Sequence, residues 1–458
     1  MILRRPPFPE EQGADGKPAP DAVEEVKHLS GAPARGPLEL GDSVQPLQRT
    51  CHEVIDRDGR RTGAAAEPGR VHAVALSRPF LVYDLRMILL PPGHHVVVSE
   101  LGDEPLQAIE AYASLQPMAA PDPATLSPRD VIIAVRSAAV GWVDLLMTSG
   151  QYQHPPKPPY TPGLEYAGVV AWVGAEAQGR LAVGDRVLVD PFLAGPRSLG
   201  AYQAWGGFAS YAVAPVEAVL PIPGELTFDQ ACALLGSYET AYHCLVTRGQ
   251  LRAGETVLIH GASGATGLAA VHVARLLGAT VIATGRSEAK LSVVAAEGAQ
   301  HVLATGMPDG SPGVRGFRDE VKSLTGGRGV DVVYDGVGGD ISLESLRCVR
   351  FGARYLVVGW AATPFVARGR GQRGAPNANV LPTNLILMKG LDVLGCPTAI
   401  STAQDPSSRA PRLNQVLRWA QAGLIRPHVS HRFPLTEFKE AMYTKWNGAV
   451  MGGAVVNP

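Results

Sequence analysis

No two cysteines in this chain stand in a Cys-x-x-Cys arrangement. The 5 that occur, Cys51, Cys232, Cys244, Cys348 and Cys396, are scattered and odd in number. That pattern argues against a disulfide framework or a structural zinc knuckle and for reduced thiols in a reducing compartment. No uninterrupted apolar run reaches the roughly 18 residues that would suggest a bilayer span. The nearest stretch, 71–90, is broken by Arg78, Pro79, Asp84 and Arg86. There is no excess of either charge, since 41 Lys and Arg face 42 Asp and Glu. This balance excludes a whole-protein attraction to nucleic acid or to an anionic membrane. The N-terminus carries Arg4 and Arg5 but soon meets Glu10, Glu11 and Asp15, whereas organellar transit peptides are poor in acids. A cytoplasmic protein is expected, ahead of a mitochondrial one.

What is present is length, glycine and a change of texture. At 458 residues, with 46% hydrophobic residues, the chain is long enough for two domains plus extra segments. Residues 1–92 are rich in Pro, Gly, Ala and charge without sustained periodicity, so a mostly disordered extension is expected, with 71–90 available to dock on the body. From 93 to about 225, short apolar runs at 96–98, 131–135, 168–173 and 186–189 alternate with Gly and Pro punctuation, which predicts a β-rich, barrel-like domain. From 226 to 397 the period changes. A helix is expected over 228–247. Strands at 256–259, 280–283, 301–303, 330–334 and 354–358 alternate with helical segments at 268–277 and 288–297. This is the pattern of an α/β, doubly wound parallel sheet of Rossmann type. The tail, 398–458, offers a helix at 413–422 and a last strand at 454–456. The Gly/Arg-rich stretch 363–379, with Arg368, Arg370 and Arg373, reads as a solvated loop.

The strongest local signal is His260-Gly261-Ala262-Ser263-Gly264-Ala265-Thr266-Gly267, set between the strand at 256–259 and a helix. Ala262-x-Gly264-x-x-Gly267 is a dinucleotide fingerprint whose first glycine is alanine. Gly264 allows close approach of a pyrophosphate, Gly267 allows the helix to pack on the strand, and the helix N-terminus offers free N–H groups. An NAD site places an acid at the end of the next strand. Here the chain reads Thr284-Gly285-Arg286-Ser287-Glu288-Ala289-Lys290. Arg286 suits a 2′-phosphate, and Ser287 and Lys290 can add hydrogen bonds or charge, so NADPH is the expected cofactor. Glu288 falls in the first turn of the following helix, where the dipole favours it.

These residues resemble the medium-chain dehydrogenase/reductase superfamily, in its zinc-free quinone oxidoreductase (zeta-crystallin-like) branch, over residues 95–458. The landmarks stand in order: Asp144, Ser149-Gly150-Gln151-Tyr152, Pro162-Gly163-Leu164-Glu165-Tyr166-Ala167-Gly168, Val183-Gly184-Asp185-Arg186-Val187, Gly207-Phe208-Ala209-Ser210-Tyr211, Thr240-Ala241, the glycine turn, Val332 to Gly339, and Leu387-Met388-Lys389-Gly390. The resemblance implies a GroES-like catalytic domain at 93–225 completed by 398–458, a Rossmann domain at 226–397, an active site in the cleft between them, and a homodimer or homotetramer paired through the Rossmann sheet edge. Zinc-dependent relatives need a Cys three residues before the Asp144 position and a His in a Gly-His-Glu motif. This chain has Gly141 and Leu164 there, so no metal is expected, and His154 and His243 read as ordinary histidines.

Without a metal, hydrogen-bond donors must stabilise the charge that grows on the acceptor oxygen. The family-matched candidate is Tyr152, with Asp144 orienting the pocket. The other role open to Tyr152 is that of an aromatic that lines the cleft. Gly141 replaces a common Asn and Leu146 replaces a Tyr of some quinone reductases, with Trp142 between, so a more apolar pocket is expected. Thr240 matches a position near the nicotinamide, and Val337, Gly359 and Trp360 end later strands where the nicotinamide half should lie. The implied activity is metal-free, NADPH-dependent hydride transfer to a quinone or small α,β-unsaturated carbonyl. Two alternatives stand beside it: an enoyl-thioester (enoyl-CoA or acyl-carrier) reductase, with the arginines at 368–373 at a channel mouth, and a non-enzymatic NADPH-binding structural or RNA-binding protein.

Overall fold

The computed structural model describes residues 90–363 and 378–458. The expected extension up to residue 89 and the arginines at 368, 370 and 373 lie outside the described residues. The first strands, β1 (Gly93–Val98) and β2 (Ala113–Met118), pair antiparallel across helix α1 (Pro105–Tyr112). There follow β3 (Asp130–Ala139), α2 (Trp142–Thr148), β4 (Tyr166–Val173), β5 (Arg186–Val189), β6 (Tyr211–Pro215) and β7 (Val219–Pro221). Helices α3 (Phe228–Cys232) and α4 (Leu235–Tyr242) lead into a parallel series. Its strands are β8 (Thr256–Ile259), β9 (Thr280–Gly285), β10 (His301–Ala304), β11 (Val330–Asp335), β12 (Val349–Val357) and β13 (Asp392–Gly395). Between them run α5 (Ala265–Leu276), α6 (Glu288–Ala296), α7 (Arg318–Leu324), α8 (Asp340–Arg347) and α9 (Thr383–Lys389). The tail holds α10 (Thr398–Gln404), α11 (Arg409–Gln421), β14 (Val429–Pro434), α12 (Phe438–Trp446) and β15 (Gly453–Asn457).

The parallel sheet runs β10-β9-β8-β11-β12-β13, two half-units meeting at β8 and β11, with their switch point above the C-terminal ends of those strands. Burial explains the order. All four residues of β8 and all six of β11 are buried, as befits central strands covered on both faces. Helix α5 is buried continuously from Gly267 to Ala274. It has no charged side chain before Arg275, because it lies between the sheet and α4. The second sheet runs β14-β15-β3-β4-β5-β7, with β6 also on β3. One apolar cluster joins the two: it holds Ala139, Ala167 and Leu188 of the β-rich sheet together with Val257 and Ile259 of the other and Leu268 of α5.

The segment 228–247 is not one helix. Thr227 and Gln230 form a capping box that starts α3. The chain then bends, and α4 begins again at Leu235, continuing as a π-helical turn, His243–Arg248. The reason is visible at Gly236. Its N–H, one of the unsatisfied donors of a new helix N-terminus, goes to Glu165 Oε1 at 2.6 Å. The tail is richer than its hydrophobic pattern shows. Helix α11 packs Val416 and Ala420 into the cluster under the parallel sheet, whereas α12 and β15 join the β-rich core. A buried ion network pins this arrangement. Arg409 meets Glu239 of α4 at 2.7 and 2.9 Å and Asp190 at 2.5 Å, and Arg412 meets Glu239 at 3.0 Å and Thr402 at 2.7 Å. Removing one partner of such a buried set typically costs about 3–5 kcal/mol.

Candidate active site

The glycine turn lies between β8 and α5. Gly261 adopts φ +62, in the left-handed region that glycine tolerates. A Cβ on Gly267 would stand 2.3 Å from the Gly261 carbonyl oxygen and 2.8 Å from Ala262 Cα. Helix and turn therefore touch backbone to backbone, and only glycine fits. Gly264 differs. Its φ is −75 and a Cβ there would meet only the Gly261 oxygen, at 3.4 Å. Nothing among the described residues demands glycine at 264; the open space is what an approaching pyrophosphate needs. Among the described residues, none accepts a hydrogen bond from the N–H of Thr266 or Gly267, while the backbone at Gly264 bridges to Gly452 of the tail. These features fit a dinucleotide phosphate at a helix N-terminus. Ala262 is buried, its N–H held by the Thr284 carbonyl at 3.1 Å. Ser263 is tied down from the tail, its carbonyl accepting from Gly452 N–H at 2.8 Å.

At the end of β9, Arg286 is exposed and no hydrogen bond or ion pair to a described residue holds its guanidinium. Ser287 is the N-cap residue of α6 and Glu288 lies exposed in the first turn. Lys290 is engaged elsewhere: its Nζ donates to the carbonyls of Gly448 and Val450, strapping the tail over this end of the sheet. Gly285 closes against Leu291. The Thr284 hydroxyl is fully buried and bonded to His260 Nδ1 at 2.8 Å, so it supports the turn from beneath. His260 also meets Ser345 Oγ at 2.6 Å, and burial lowers its pKa to about 4. Asp335 accepts from the N–H groups of Val337 and Gly338 and from Ser342 and Tyr355. It thereby fixes the turn after β11. A Cβ on Gly261 would stand 3.0 Å from Val337 Cγ2, and one on Gly359 3.2 Å from the Gly336 oxygen. The turns that end β8, β11 and β12 are thus gathered at one edge. Thr240 Oγ1 donates to the Gly236 carbonyl at 2.7 Å.

On the other wall, α2 ends in a Schellman closure. Gly150, at φ +68, donates to the Met147 carbonyl at 3.1 Å and Gln151 to that of Leu146 at 2.9 Å. This delivers Tyr152, half-buried, into the region of His154, whose ring lies edge-on at 6.2 Å. Asp144 is not at the surface of the cleft. It is 2% exposed, and its oxygens take the N–H groups of Gly141, Gly163 and Leu164, all at 3.0 Å. Burial raises its pKa to about 6 against the pull of those donors and of Arg197. Asp144 therefore pins the loop at 163–164 to the start of α2, and no hydrogen bond joins it to Tyr152 among the described residues. Gly141 is the N-cap of α2, and Leu164 is buried. Trp142 is used structurally, stacked on Trp446 of α12 at 5.0 Å and 3°. His243 is a buried histidine with its pKa lowered to about 4 by burial. Among the described residues no group of three or more His, Cys, Asp or Glu is disposed to hold a metal ion.

Three ionisable groups here escaped the sequence reading. Glu165, at the N-terminus of α4, has its pKa raised to about 7 by burial, against the Gly236 N–H and Arg197. Lys445 of α12, half-buried, has its pKa lowered to about 8 by burial. Arg197 stands over the rings of Tyr152, at 5.9 Å, and Phe192, at 5.2 Å. Glu165 was quotable as an acid beside a Pro-Gly turn. Arg197 lies in a glycine-rich loop and Lys445 in a tail helix, with no spacing to flag either.

The comparisons with known proteins point to one family. A family model described as alcohol dehydrogenase GroES-like domain matches residues 127–224, and one described as zinc-binding dehydrogenase matches 265–405. A quinone oxidoreductase-like protein 2 homolog from Nematostella vectensis is 32% identical over 334 residues, 72% of this chain and 82% of that protein. Among solved structures, a probable oxidoreductase from Mycobacterium abscessus aligns with a TM-score of 0.63 at 28% identity, over 80% of this chain and 99% of the other. The Escherichia coli quinone oxidoreductase in complex with NADPH has a TM-score of 0.62 at 22% identity, over 80% and 100%, and so shares the fold. The chain belongs to the zinc-free quinone oxidoreductase branch of the medium-chain dehydrogenase/reductase superfamily and is an oxidoreductase of the kind that draws on a nicotinamide cofactor.

Proposed function

We propose that this protein transfers hydride from NADPH to a quinone or a small α,β-unsaturated carbonyl without a metal. The observation that carries the reading is the N-terminus of α5, where the N–H groups of Thr266 and Gly267 have no acceptor among the described residues, together with Arg286 at the end of β9, which no described residue pairs. A pyrophosphate satisfies the first and a 2′-phosphate the second. The nicotinamide, which supplies the hydride, then falls toward Thr240, Val337 and Gly359. Tyr152 faces the acceptor as a hydrogen-bond donor, with Asp144 holding the wall behind it. The test is NADPH oxidation across neutral quinones, enones and enoyl-CoA esters. Turnover of quinones or enones is expected. Preference for crotonyl-CoA would move the protein to the enoyl-thioester reductases, and NADPH binding without turnover of any acceptor would leave a binding protein.

The same chain supports self-association. Strand β13 is the edge of the parallel sheet, and α9 beside it buries none of its residues. Leu387 is 81% exposed, Met388 72% and Phe351 76%. An open edge strand with an apolar rim is a pairing surface. A second copy of the chain is the proposed occupant. Sedimentation at the dimer mass or above is expected; a monomer at micromolar concentration contradicts it.

A further inference from the structure

An unexplained charged group beside Tyr152 is Arg197. It is carried on a single 3-10 turn, Pro196–Ser198, entered through Gly195 at φ +73 and left through Leu199 at φ +53. A leucine in the left-handed region is strained, and strain of this kind collects where a side chain must be aimed. Ser198 ties the turn to the Gly195 carbonyl through its hydroxyl at 2.8 Å. Gly195 itself packs near the Leu164 carbonyl and Tyr166, so the turn is seated on the segment that bears Glu165.

The guanidinium has no hydrogen bond or ion pair to any described residue, and its Nε is buried and unpartnered. A buried donor is normally satisfied, so an unpartnered guanidinium beside Tyr152 is a place where a ligand acceptor is wanted. The nearby carboxylates do not fill it. Asp144 spends both oxygens on backbone N–H groups and Glu165 gives one to Gly236; the arginine acts on them only through its field. The aromatic rings of Tyr152 and Phe192 wall the guanidinium, which restricts water and strengthens its pull on a nearby charge.

We propose that Arg197 is a catalytic residue that donates to the carbonyl oxygen of the acceptor and takes up the negative charge formed there during hydride transfer. The proposal rests on the hydride-transfer reading given above. Hydride brings two electrons and one hydrogen to the acceptor carbon framework, and one negative charge comes to rest on the oxygen. One proton from water then completes the reduced product, while the nicotinamide is left oxidised. A fixed cationic donor aimed at the oxygen stabilises the charge-bearing transition state more than the neutral ground state, which lowers the barrier.

Arg197→Gln should lower kcat on neutral quinones by about 100-fold, the usual scale for losing such a donor, with NADPH affinity unchanged. Arg197→Lys should keep part of the rate, and guanidinium ion added to Arg197→Ala should restore part of it. A second readout needs no turnover: 4-nitrophenol bound to the wild-type protein should ionise at lower pH than free 4-nitrophenol, and Arg197→Gln should abolish that displacement. Wild-type kcat in Arg197→Gln would overturn the proposal, as would a defect confined to KM for carboxylate-bearing acceptors. If no acceptor is turned over at all, the hydride-transfer reading fails, and the phenolate titration still decides whether Arg197 receives an anion.

Discussion

The two walls of the cleft are built by different means. The proposed cofactor wall is made mainly of backbone: the turn at 260–264, a helix end and three strand ends gathered at one sheet edge. The proposed acceptor wall draws on side chains from four distant segments, Tyr152 after α2 with Asp144 buried behind it, Glu165 before β4, Arg197 on its strained turn, and Lys445 in α12. A backbone site depends on local spacing and tolerates little change. A side-chain site depends on which loops the fold brings together, so it varies with the acceptor.

That contrast predicts how each wall breaks. Gly267→Val should have the largest effect. Its side chain meets backbone at 2.3 Å, which a rotamer change cannot relieve, so stability should fall by about 1–3 kcal/mol and NADPH binding should be lost. Thermal melts and nucleotide titration measure both; normal binding would show the turn to be more pliable than its geometry. Arg286→Ala should weaken NADPH by roughly ten- to a hundredfold, the scale of a charged hydrogen bond, with NADH nearly untouched. An equal loss for both nucleotides would remove the 2′-phosphate argument. Tyr152→Phe should lower kcat by about tenfold, the loss of one hydrogen bond at the acceptor, and leave nucleotide affinity alone. An unchanged kcat would make the ring a lining.

Glu165 gives the smallest and most specific signal. Its folded pKa, about 7, lies above the ordinary carboxylate value, and burial is the cause. Between these values the folded state holds a proton that the unfolded chain has released. Its contribution is therefore present in acid and lost as pH rises through 7. Glu165→Gln should gain stability relative to wild type between pH 5 and pH 8, by on the order of 1 kcal/mol. Urea melts at the two pH values check this; a gain that is flat with pH would show that Glu165 stays ionised.

The legibility of the molecule follows the same division. The parallel sheet was readable because β8, β9 and β11 are short buried runs set off by glycine turns. The turn at 261–267 was readable because its chemistry needs glycine at fixed spacing. The helix expected over 228–247 breaks because a remote carboxylate, Glu165, caps Gly236, and no local pattern records that. Lys290, expected at the phosphate, lies within the field of Arg286 and donates to tail carbonyls that no local pattern records. Trp142 is covered by Trp446, more than 300 residues later (a pairing that only the fold creates). Arg197 has no signature in its glycine-rich loop, since its meaning comes from the rings and carboxylates around it.

The central claim is that the turn after Ile259 carries the phosphates of NADPH. Titrating purified protein with NADPH while following the emission of the reduced nicotinamide tests it most directly. Saturable enhancement or blue shift, competed by NADP and weakly by NAD, is the predicted result. Emission that matches free NADPH at every protein concentration, with no competition by NADP, would contradict it.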